Sequence, residues 1–205
     1  LCDHCYATSD NAKAQELSME EAQNLITDIA EFGSPVLLLS GGEPLMHKHI
    51  FEIIAMAKKA GLRVVLSTNG KLITRETAKK LAQLKLSYVG ISLDGREETN
   101  DLFRHSKGAY KRAMQGIQHC KDEGIKVGLR FTITKKNASE IPHLFDILVD
   151  EGIPRICFYH FVNTGRGTQI ENQLVTKDET RKIVDYIIEK TKELHENGHE
   201  KEVLT

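Results

Sequence analysis

Amphipathic segments of helical length alternate with short apolar runs along this chain, and no other feature constrains its fold more. The run Val36–Leu39 is too short for a helix and has no polar alternation, which is typical of a strand buried on both faces. Similar runs predict strands over residues 63–67, 88–92, 126–132 and 156–160. Strands that alternate with helices pair in parallel through right-handed crossovers. The sequence therefore predicts an α/β fold, either a doubly wound sheet or a barrel.

Capping residues mark the ends of the predicted helices. Ser18 opens a capping box with Glu21, and Thr176 opens a second one with Glu179. Several helical segments are followed by glycine, the residue that most easily adopts a left-handed cap. The predicted helices cover residues 19–33, 49–60, 74–84, 109–123, 141–151 and 177–197. The charged tail from His195 to Thr205 is expected to fray.

Composition excludes several classes of protein. The chain has 205 residues, of which 40% are hydrophobic, so it can bury the core of one globular domain. A net charge of -1 provides no overall basic field for nucleic acid or anionic lipid. No apolar run approaches the roughly 20 residues of a membrane helix. Four unevenly spaced cysteines do not form a secreted disulfide framework, so a reducing cytoplasm is expected.

The spacing Cys-x-x-Cys at Cys2 and Cys5 is the strongest local signal of metal chemistry. By itself this spacing is compatible with half a zinc site, a redox dithiol or an iron-sulfur loop. Cys120 and Cys157 are isolated in a predicted helix and a predicted strand, where a small buried thiol is the usual role. A third cluster ligand is therefore expected upstream of Leu1, and the chain does not begin with methionine.

Polar motifs stand at the predicted carboxyl ends of the strands, where parallel α/β folds bind their ligands. Each motif alone is compatible with an ordinary turn, but several at one edge predict a ligand site. They are Ser40-Gly41-Gly42-Glu43-Pro44, Ser67-Thr68-Asn69-Gly70, Ser92-Leu93-Asp94-Gly95, Arg130 inside the next strand, and Tyr159-His160 with the Thr164-Gly165-Arg166-Gly167 segment that follows.

The order Cys-x-x-Cys-Tyr, Gly-Gly-Glu-Pro, Ser-Thr-Asn-Gly and Ser-Leu-Asp-Gly along a βα repeat resembles the core of radical S-adenosylmethionine (SAM) enzymes, over nearly the whole chain. The resemblance implies a partial (β/α)6 TIM-like barrel whose first strand precedes this chain. It also implies one core domain over residues 1–205, truncated at the N-terminus and lacking a C-terminal extension that carries an auxiliary 4Fe-4S cluster.

The same resemblance implies a 4Fe-4S cluster and SAM as cofactors. The family loop is Cys-x-x-x-Cys-x-x-Cys, and Cys2 and Cys5 match its second and third cysteines. Three thiolates leave one iron open to chelate the amino and carboxylate groups of SAM, so this chain alone is expected to be inactive. The implied redox partner is an electron donor such as ferredoxin or flavodoxin.

Individual positions are carried over from the family motifs with a physical reason for each. Gly41 and Gly42 permit close approach of the methionine part of SAM, and Glu43 accepts from its ammonium group. Further SAM contacts are expected from Pro44, which completes the motif, from Ser67 and Asn69 toward the sugar or carboxylate, and from Ser92 and Asp94 toward the ribose hydroxyls.

Two arginines compete for the SAM carboxylate. The guanidinium of Arg130 presents a two-pronged donor that matches a carboxylate. Arg104 is the alternative, and its other interpretation is a charge on a helix surface.

The sequence around residues 36–44, 88–95, 124–134 and 159–167 most resembles the tetrapyrrole-modifying branch, which serves the sirohaem-dependent haem pathway and haem d biosynthesis. Its didecarboxysirohaem deacetylase type removes acetate side chains from an iron tetrapyrrole. Such substrates carry several carboxylates, so Arg155, His160 and Arg166 are candidate substrate contacts.

Three other functions are compatible with parts of the sequence. A peptide-modifying radical SAM maturase shares the same core and auxiliary-cluster extension. A structural zinc- or cluster-binding module explains Cys2 and Cys5 but not the later motifs. A non-catalytic doubly wound domain should carry a phosphate loop such as G-x-G-x-x-G, which the sequence lacks.

Overall fold

A computed structural model describes residues 2–6 and 16–205. Its helices and strands alternate as the sequence pattern predicts. In chain order the elements are α1 (Met19–Glu31), β1 (Val36–Leu39), α2 (Ile50–Lys59), β2 (Arg63–Thr68), α3 (Arg75–Gln83), β3 (Tyr88–Ser92), α4 (Glu97–Phe103), α5 (Ala109–Asp122), β4 (Val127–Ile133), α6 (Ile141–Asp150), β5 (Arg155–His160), α7 (Lys177–Glu196) and β6 (Glu202–Leu204). Short 3-10 segments cover Pro44–Met46, Ala138–Glu140 and Gly165–Gln173.

The strands form one parallel sheet with the order β1-β2-β3-β4-β5-β6. Register places Leu39 opposite Leu66, Thr68 opposite Ile91, and Arg130 opposite Cys157. The α/β prediction and the five predicted strands are therefore confirmed. Both capping boxes are present as well, with Ser18 and Thr176 accepting from backbone amides in the first turns of α1 and α7.

Two elements differ from the sequence prediction. The charged tail was expected to fray, but Glu202–Leu204 pairs with β5 as strand β6. Nε and Nη2 of Arg155 both donate to the carboxylate of Glu202 and support this pairing. The other difference is α4, a seven-residue helix that the sequence analysis missed. All of its first five residues are polar or charged, so it shows little apolar periodicity.

The described residues divide into two compact units. Residues 16–91 and 112–127 form the first unit, which holds β1, β2, most of β3 and α1, α2, α3 and most of α5. In it Gly116 of α5 packs directly on the turn after β2, since a Cβ on Gly116 would lie 2.6 Å from the carbonyl oxygen of Gly70. Gly70 has φ +75°, and its own added Cβ would lie 2.9 Å from Ile91. Glycine is therefore required at both positions.

Residues 2–6, 92–111 and 128–205 form the second unit, which holds most of β4, together with β5, β6, α4, α6 and α7. Its core contains an aromatic cluster in which the rings of Phe131 and Phe145 lie 5.8 and 5.7 Å from the ring of Phe158. Along β4, buried residues alternate with the partly exposed Arg130 and Thr132. One face of β4 therefore packs into this core while the other presents polar side chains. None of the helices in the described ranges is both long and apolar enough to cross a membrane.

Candidate functional site

The segment Cys2–Tyr6 forms a short turn in the second unit. Neither thiol forms a disulfide and both residues are partly exposed, and the amide of Cys5 donates to the carbonyl of Cys2 over 3.4 Å. The amide of Asp3 donates to the carbonyl of Phe103, the last residue of α4, over 3.2 Å. The cysteine loop, residues 2–6, is thus attached through its backbone to the end of α4.

Asp94 follows β3 and lies directly beside the cysteine loop. Its side chain is 1% exposed, and its Oδ1 lies 2.8 Å from Nε2 of His4 while its Oδ2 lies 2.7 Å from Nη2 of Arg104. Burial alone would raise the pKa of Asp94, but Arg104 and His4 together outweigh it and lower the pKa to about 2. Asp94 is therefore a buried carboxylate that stays ionised at neutral pH.

Two buried asparagines hold the backbone of Asp94. Its amide donates to Oδ1 of Asn100 over 3.0 Å, and its carbonyl accepts from Nδ2 of Asn137 over 3.2 Å. Asn137 also accepts from the amide and hydroxyl of Thr134. The sequence analysis did not select Asn100 or Asn137 as functional. The only sequence signal is a lone asparagine beside a strand-end motif, which is also common in ordinary turns.

Arg104 is buried, with 7% of its side chain exposed, so its interpretation as a helix-surface charge is wrong. Its Nη1 lies 3.9 Å from Sγ of Cys2, within hydrogen-bond range for sulfur. The next residue, His105, has φ +46° and its imidazole contacts the carboxylate of Asp3. The end of α4 therefore contacts the cysteine loop through consecutive side chains.

The Gly165–Gly167 segment also contacts the cysteine loop. Arg166 donates from Nε to the carbonyl of Cys2 over 3.1 Å. Gly165 has φ +58°, and an added Cβ there would lie 2.7 Å from the carbonyl oxygen of Cys5 and would collide with that of Tyr6. Glycine at this position thus permits close backbone contact. The structure places Arg166, a predicted substrate residue, against the cysteine loop.

Arg130 lies on the polar face of β4 and pairs with Tyr159 of β5. Its guanidinium stands 5.0 Å from the ring centroid and donates to the phenolic oxygen. Burial raises the pKa of Tyr159.

Cys157, opposite Arg130 in the register, is only partly buried, unlike Cys120, which is fully buried as expected. The predicted substrate residue His160 is exposed, with its Nε2 3.4 Å from the hydroxyl of Thr205.

Glu43 joins two of the predicted strand-end motifs within the first unit. Its carboxylate accepts from the hydroxyl of Thr68 over 2.6 Å and from the amide of Asn69 over 2.8 Å. It also accepts from the amide of Leu45 in the 3-10 turn over 3.2 Å. The Gly-Gly-Glu-Pro and Ser-Thr-Asn-Gly motifs are therefore brought together as expected, through a contact with Thr68 that the sequence did not predict.

The other predicted SAM residues lie at the carboxyl ends of their strands. Gly41 has φ +123° and open space around an added Cβ, so glycine is required there by conformation and not by crowding. Pro44 is buried at the start of its 3-10 turn. Gly42 is exposed, and Ser67 and Ser92 are partly exposed.

The described residues supply two of the three thiolates that an open 4Fe-4S cluster needs. Within residues 2–6 and 16–205, no group of three histidine, cysteine or acidic side chains is close enough to hold a metal ion. Soft thiolates with hydrogen-bond donors around them are the ordinary ligands of iron-sulfur clusters. Cys2, with the Arg104 guanidinium beside it, and Cys5 therefore fit two ligand positions of such a cluster.

Comparison with known proteins identifies related sequences and folds. The family model described as the Radical SAM superfamily matches residues 1–148. The chain is 55% identical over 205 residues to the Fe-coproporphyrin III synthase of Methanosarcina barkeri, covering 100% of this chain and 51% of that protein. It is 39% identical over 206 residues to the pre-heme d1 synthase of Dinoroseobacter shibae, again with 100% of this chain and 51% of the relative covered.

Solved structures share the fold at lower sequence identity. The structure of native anSMEcpe with bound AdoMet and the Kp18Cys peptide matches with a TM-score of 0.82 and 18% identity, over 98% of this chain and 59% of that one. The chain spans about half the length of the curated relatives named above.

Proposed function

We propose that this chain, which belongs to the radical SAM superfamily, is the core of an enzyme of haem biosynthesis that removes acetate side chains from didecarboxysirohaem. The observation that carries the proposal is the 55% identity, over the whole chain, with a protein named Fe-coproporphyrin III synthase. An iron coproporphyrin is accordingly the candidate product. Substrate and reaction are proposals because only 51% of that relative is covered.

Cys2 and Cys5 are proposed to hold two irons of a 4Fe-4S cluster, with a third cysteine upstream of Leu1. When bound, the cluster and SAM together supply the one-electron chemistry that generates a hydrogen-abstracting radical. Ferredoxin or flavodoxin is the proposed electron donor. An auxiliary 4Fe-4S cluster is proposed for a C-terminal region outside this chain, and a cytoplasmic location is proposed because these thiolates must stay reduced.

The strand-end residues are proposed to bind SAM. Glu43 is the candidate acceptor for the SAM ammonium group, and its anchoring by Thr68 and Asn69 supports a fixed orientation for that carboxylate. Arg130 is the candidate partner of the SAM carboxylate. The remaining proposed contacts come from Gly41, Gly42, Pro44, Ser67, Asn69 and Ser92, with Asp94 and Arg104 as further candidates.

Three residues in and after β5 are proposed to recognise the carboxylates of the tetrapyrrole, two of them at or beyond its carboxyl end. His160 is exposed there, which supports its availability to a substrate. Arg166 is a further candidate, although its Nε already donates to the cysteine loop. Arg155 is a weaker candidate because it is the first residue of β5, at the opposite end of the strand from His160, and because its guanidinium is paired with Glu202.

A peptide-modifying maturase is the competing function within this superfamily. The similarity to anSMEcpe with its bound peptide supports the shared fold alone, because the identity is 18%. The higher identities belong to two proteins named for tetrapyrrole products. These relations favour an iron tetrapyrrole over a peptide.

The proposal is tested by measuring whether substrate accelerates SAM cleavage. Protein carrying the upstream cysteine, reconstituted anaerobically with iron and sulfide, is mixed with SAM and a reductant, and deoxyadenosine is quantified. Didecarboxysirohaem should increase the rate of deoxyadenosine release, and a His160→Ala variant should weaken tetrapyrrole binding while cleavage without substrate continues. If tetrapyrroles neither bind nor accelerate cleavage and a ribosomal peptide does, the peptide-modifying function is correct instead.

A further inference from the structure

We propose that Asp94 and Arg104 form a positioning pair for the cysteine loop, in which Asp94 fixes the guanidinium and the guanidinium donates an N–H group to Sγ of Cys2. The proposal rests on Cys2 being a cluster ligand and does not depend on the identity of the substrate. It gives both residues a role that does not require contact with SAM.

Asp94 is suited to this role because it is fixed on every side. Its backbone is held by Asn100 and Asn137, and its two carboxylate oxygens face His4 and Arg104. Asp94 and both asparagines are essentially buried, with exposures of 1%, 0% and 0%. A buried carboxylate held by several protein groups has few alternative geometries. Asp94 therefore provides a rigid point to which the loop is attached.

Three consecutive loop residues attach to this point and to the end of α4. Cys2 faces Nη1 of Arg104 at 3.9 Å, and the amide of Asp3 donates to the carbonyl of Phe103 at 3.2 Å. His4 contacts the Asp94 carboxylate at 2.8 Å and packs its ring 5.6 Å from that of Phe103. These contacts involve protein groups only. On this proposal the loop is held by these contacts and is expected to be ordered in the metal-free protein.

The forked shape of arginine explains why this residue links the two groups. Nη2 of Arg104 meets Asp94 at 2.7 Å while Nη1 of the same guanidinium faces the sulfur of Cys2. A lysine has a single ammonium group and cannot present this planar fork. Hydrogen bonds to cluster sulfurs and nearby positive charge are among the features that set the reduction potential of an iron-sulfur site. Arg104 should therefore raise the potential of a cluster bound through Cys2.

A direct role in SAM binding makes a different prediction for the same residues. Both Asp94 oxygens already face protein groups, so a ribose hydroxyl would have to share or displace them. If Asp94 and Arg104 served SAM alone, substitution would change SAM affinity and leave the loop ordered in protein without metal or SAM. Measurements on the metal-free protein therefore separate the two roles.

The first test is amide hydrogen exchange on metal-free protein without SAM. In Arg104→Gln and Arg104→Lys, protection of the Asp3 amide should fall at least tenfold, because the loop loses the contact of Cys2 with the guanidinium and Asp94 loses the group that fixes its Oδ2. The control is Arg96→Gln, which removes another arginine-carboxylate pair of the same unit, with Glu140, that does not touch the loop. Protection of the Leu93 amide, which donates to Arg130 in the sheet, reports whether each variant remains folded.

Unchanged Asp3 protection in the two Arg104 variants would overturn the proposal. Wild-type protection in Arg104→Lys alone would overturn the part played by the guanidinium fork.

The second test is a potentiometric EPR titration of the reconstituted protein with its upstream cysteine. Arg104→Gln should shift the reduction equilibrium about tenfold toward the oxidised cluster, which corresponds to about 59 mV for a one-electron couple. An unchanged potential in Arg104→Gln would contradict the Cys2 contact. No tetrapyrrole is added in either test, so a negative result would contradict the positioning pair and would leave the proposed substrate unaffected.

Discussion

Asp94 was predicted from a sequence motif, but its contacts are set by residues distant in the sequence. From the sequence, Asp94 is a predicted ribose contact because it stands at a strand end. The structure adds that its carboxylate is shared by His4, 90 residues earlier, and by Arg104. Sequence reasoning has no access to such pairs, since a polar residue at a strand end is compatible with many partners. The contacts of Asp94 with His4 and Arg104 are observed, whereas its contact with SAM stays a prediction.

Replacing Asp94 by asparagine should destabilise the protein in a pH-dependent way. At neutral pH the variant leaves Arg104 buried without its counter-charge, which typically costs about 3 to 5 kcal/mol. The folded-state pKa of about 2 lies below the usual 3.8, so the wild-type carboxylate contributes stability above pH 4 and loses it as the pH falls toward 2. The difference in unfolding free energy between wild type and Asp94→Asn should therefore shrink by about 2 kcal/mol over that range.

Urea unfolding at a series of pH values measures this difference. A difference that is the same at pH 6 and pH 2.5 would show that the ionised carboxylate does not contribute as described.

Glu43→Gln should destabilise the first unit even without any ligand. The carboxylate accepts from Thr68 and Asn69, and replacing one oxygen by an amide nitrogen puts a donor where an acceptor is needed. Hydrogen bonds to charged groups contribute about 1.5 to 3 kcal/mol, so a loss of that size is expected in urea unfolding. The matched control is Glu52→Gln, an exposed glutamate of the same unit whose loss should change stability by less than about 0.5 kcal/mol. Equal effects for the two variants would contradict the anchoring role of Glu43.

At the scale of elements, hydrophobic periodicity identified the long helices and the buried strands. It failed where tertiary contacts decide the structure. The strand β6 consists of three residues in a charged tail. It forms because its backbone pairs with β5 and because Glu202 forms an ion pair with Arg155. The helix α4 is short and largely polar at its start, and its last residue, Phe103, is buried against His4 of the cysteine loop. In both cases the deciding contact is distant in sequence.

The contact between α5 and the turn after β2 gives a test at this scale. Glycine to alanine inside a helix normally stabilises by up to about 1 kcal/mol. At Gly116 the added methyl would meet the Gly70 carbonyl at 2.6 Å and Ile73 at 3.2 Å. Overpacking of this kind costs about 1 to 3 kcal/mol, so Gly116→Ala should lower the melting temperature. Gln115→Ala, at the exposed neighbouring position, should leave it nearly unchanged, and an equal or raised melting temperature for Gly116→Ala would refute the close packing.

At the scale of the whole molecule, the sequence was sufficient to identify the family but not the partners of its site residues. The motifs were sufficient because their order and spacing along a βα repeat are specific to one superfamily, which the match over residues 1–148 confirms. The contacts of Asn100, Asn137 and Arg104 with Asp94 were not predictable, although Arg104 was a predicted SAM contact, because a lone polar residue in a helix or turn does not indicate its partner. Such residues gain a role only when the fold brings them to Asp94.

Recognition of an iron tetrapyrrole is the central functional claim, and the mass of the product tests it most directly. Protein with its upstream cysteine and cluster is incubated anaerobically with SAM, a reductant and didecarboxysirohaem, and the tetrapyrrole is analysed by mass spectrometry. We expect a product lighter by its acetate groups, formed together with deoxyadenosine. Recovery of unaltered didecarboxysirohaem under conditions in which the same protein modifies a peptide would contradict it.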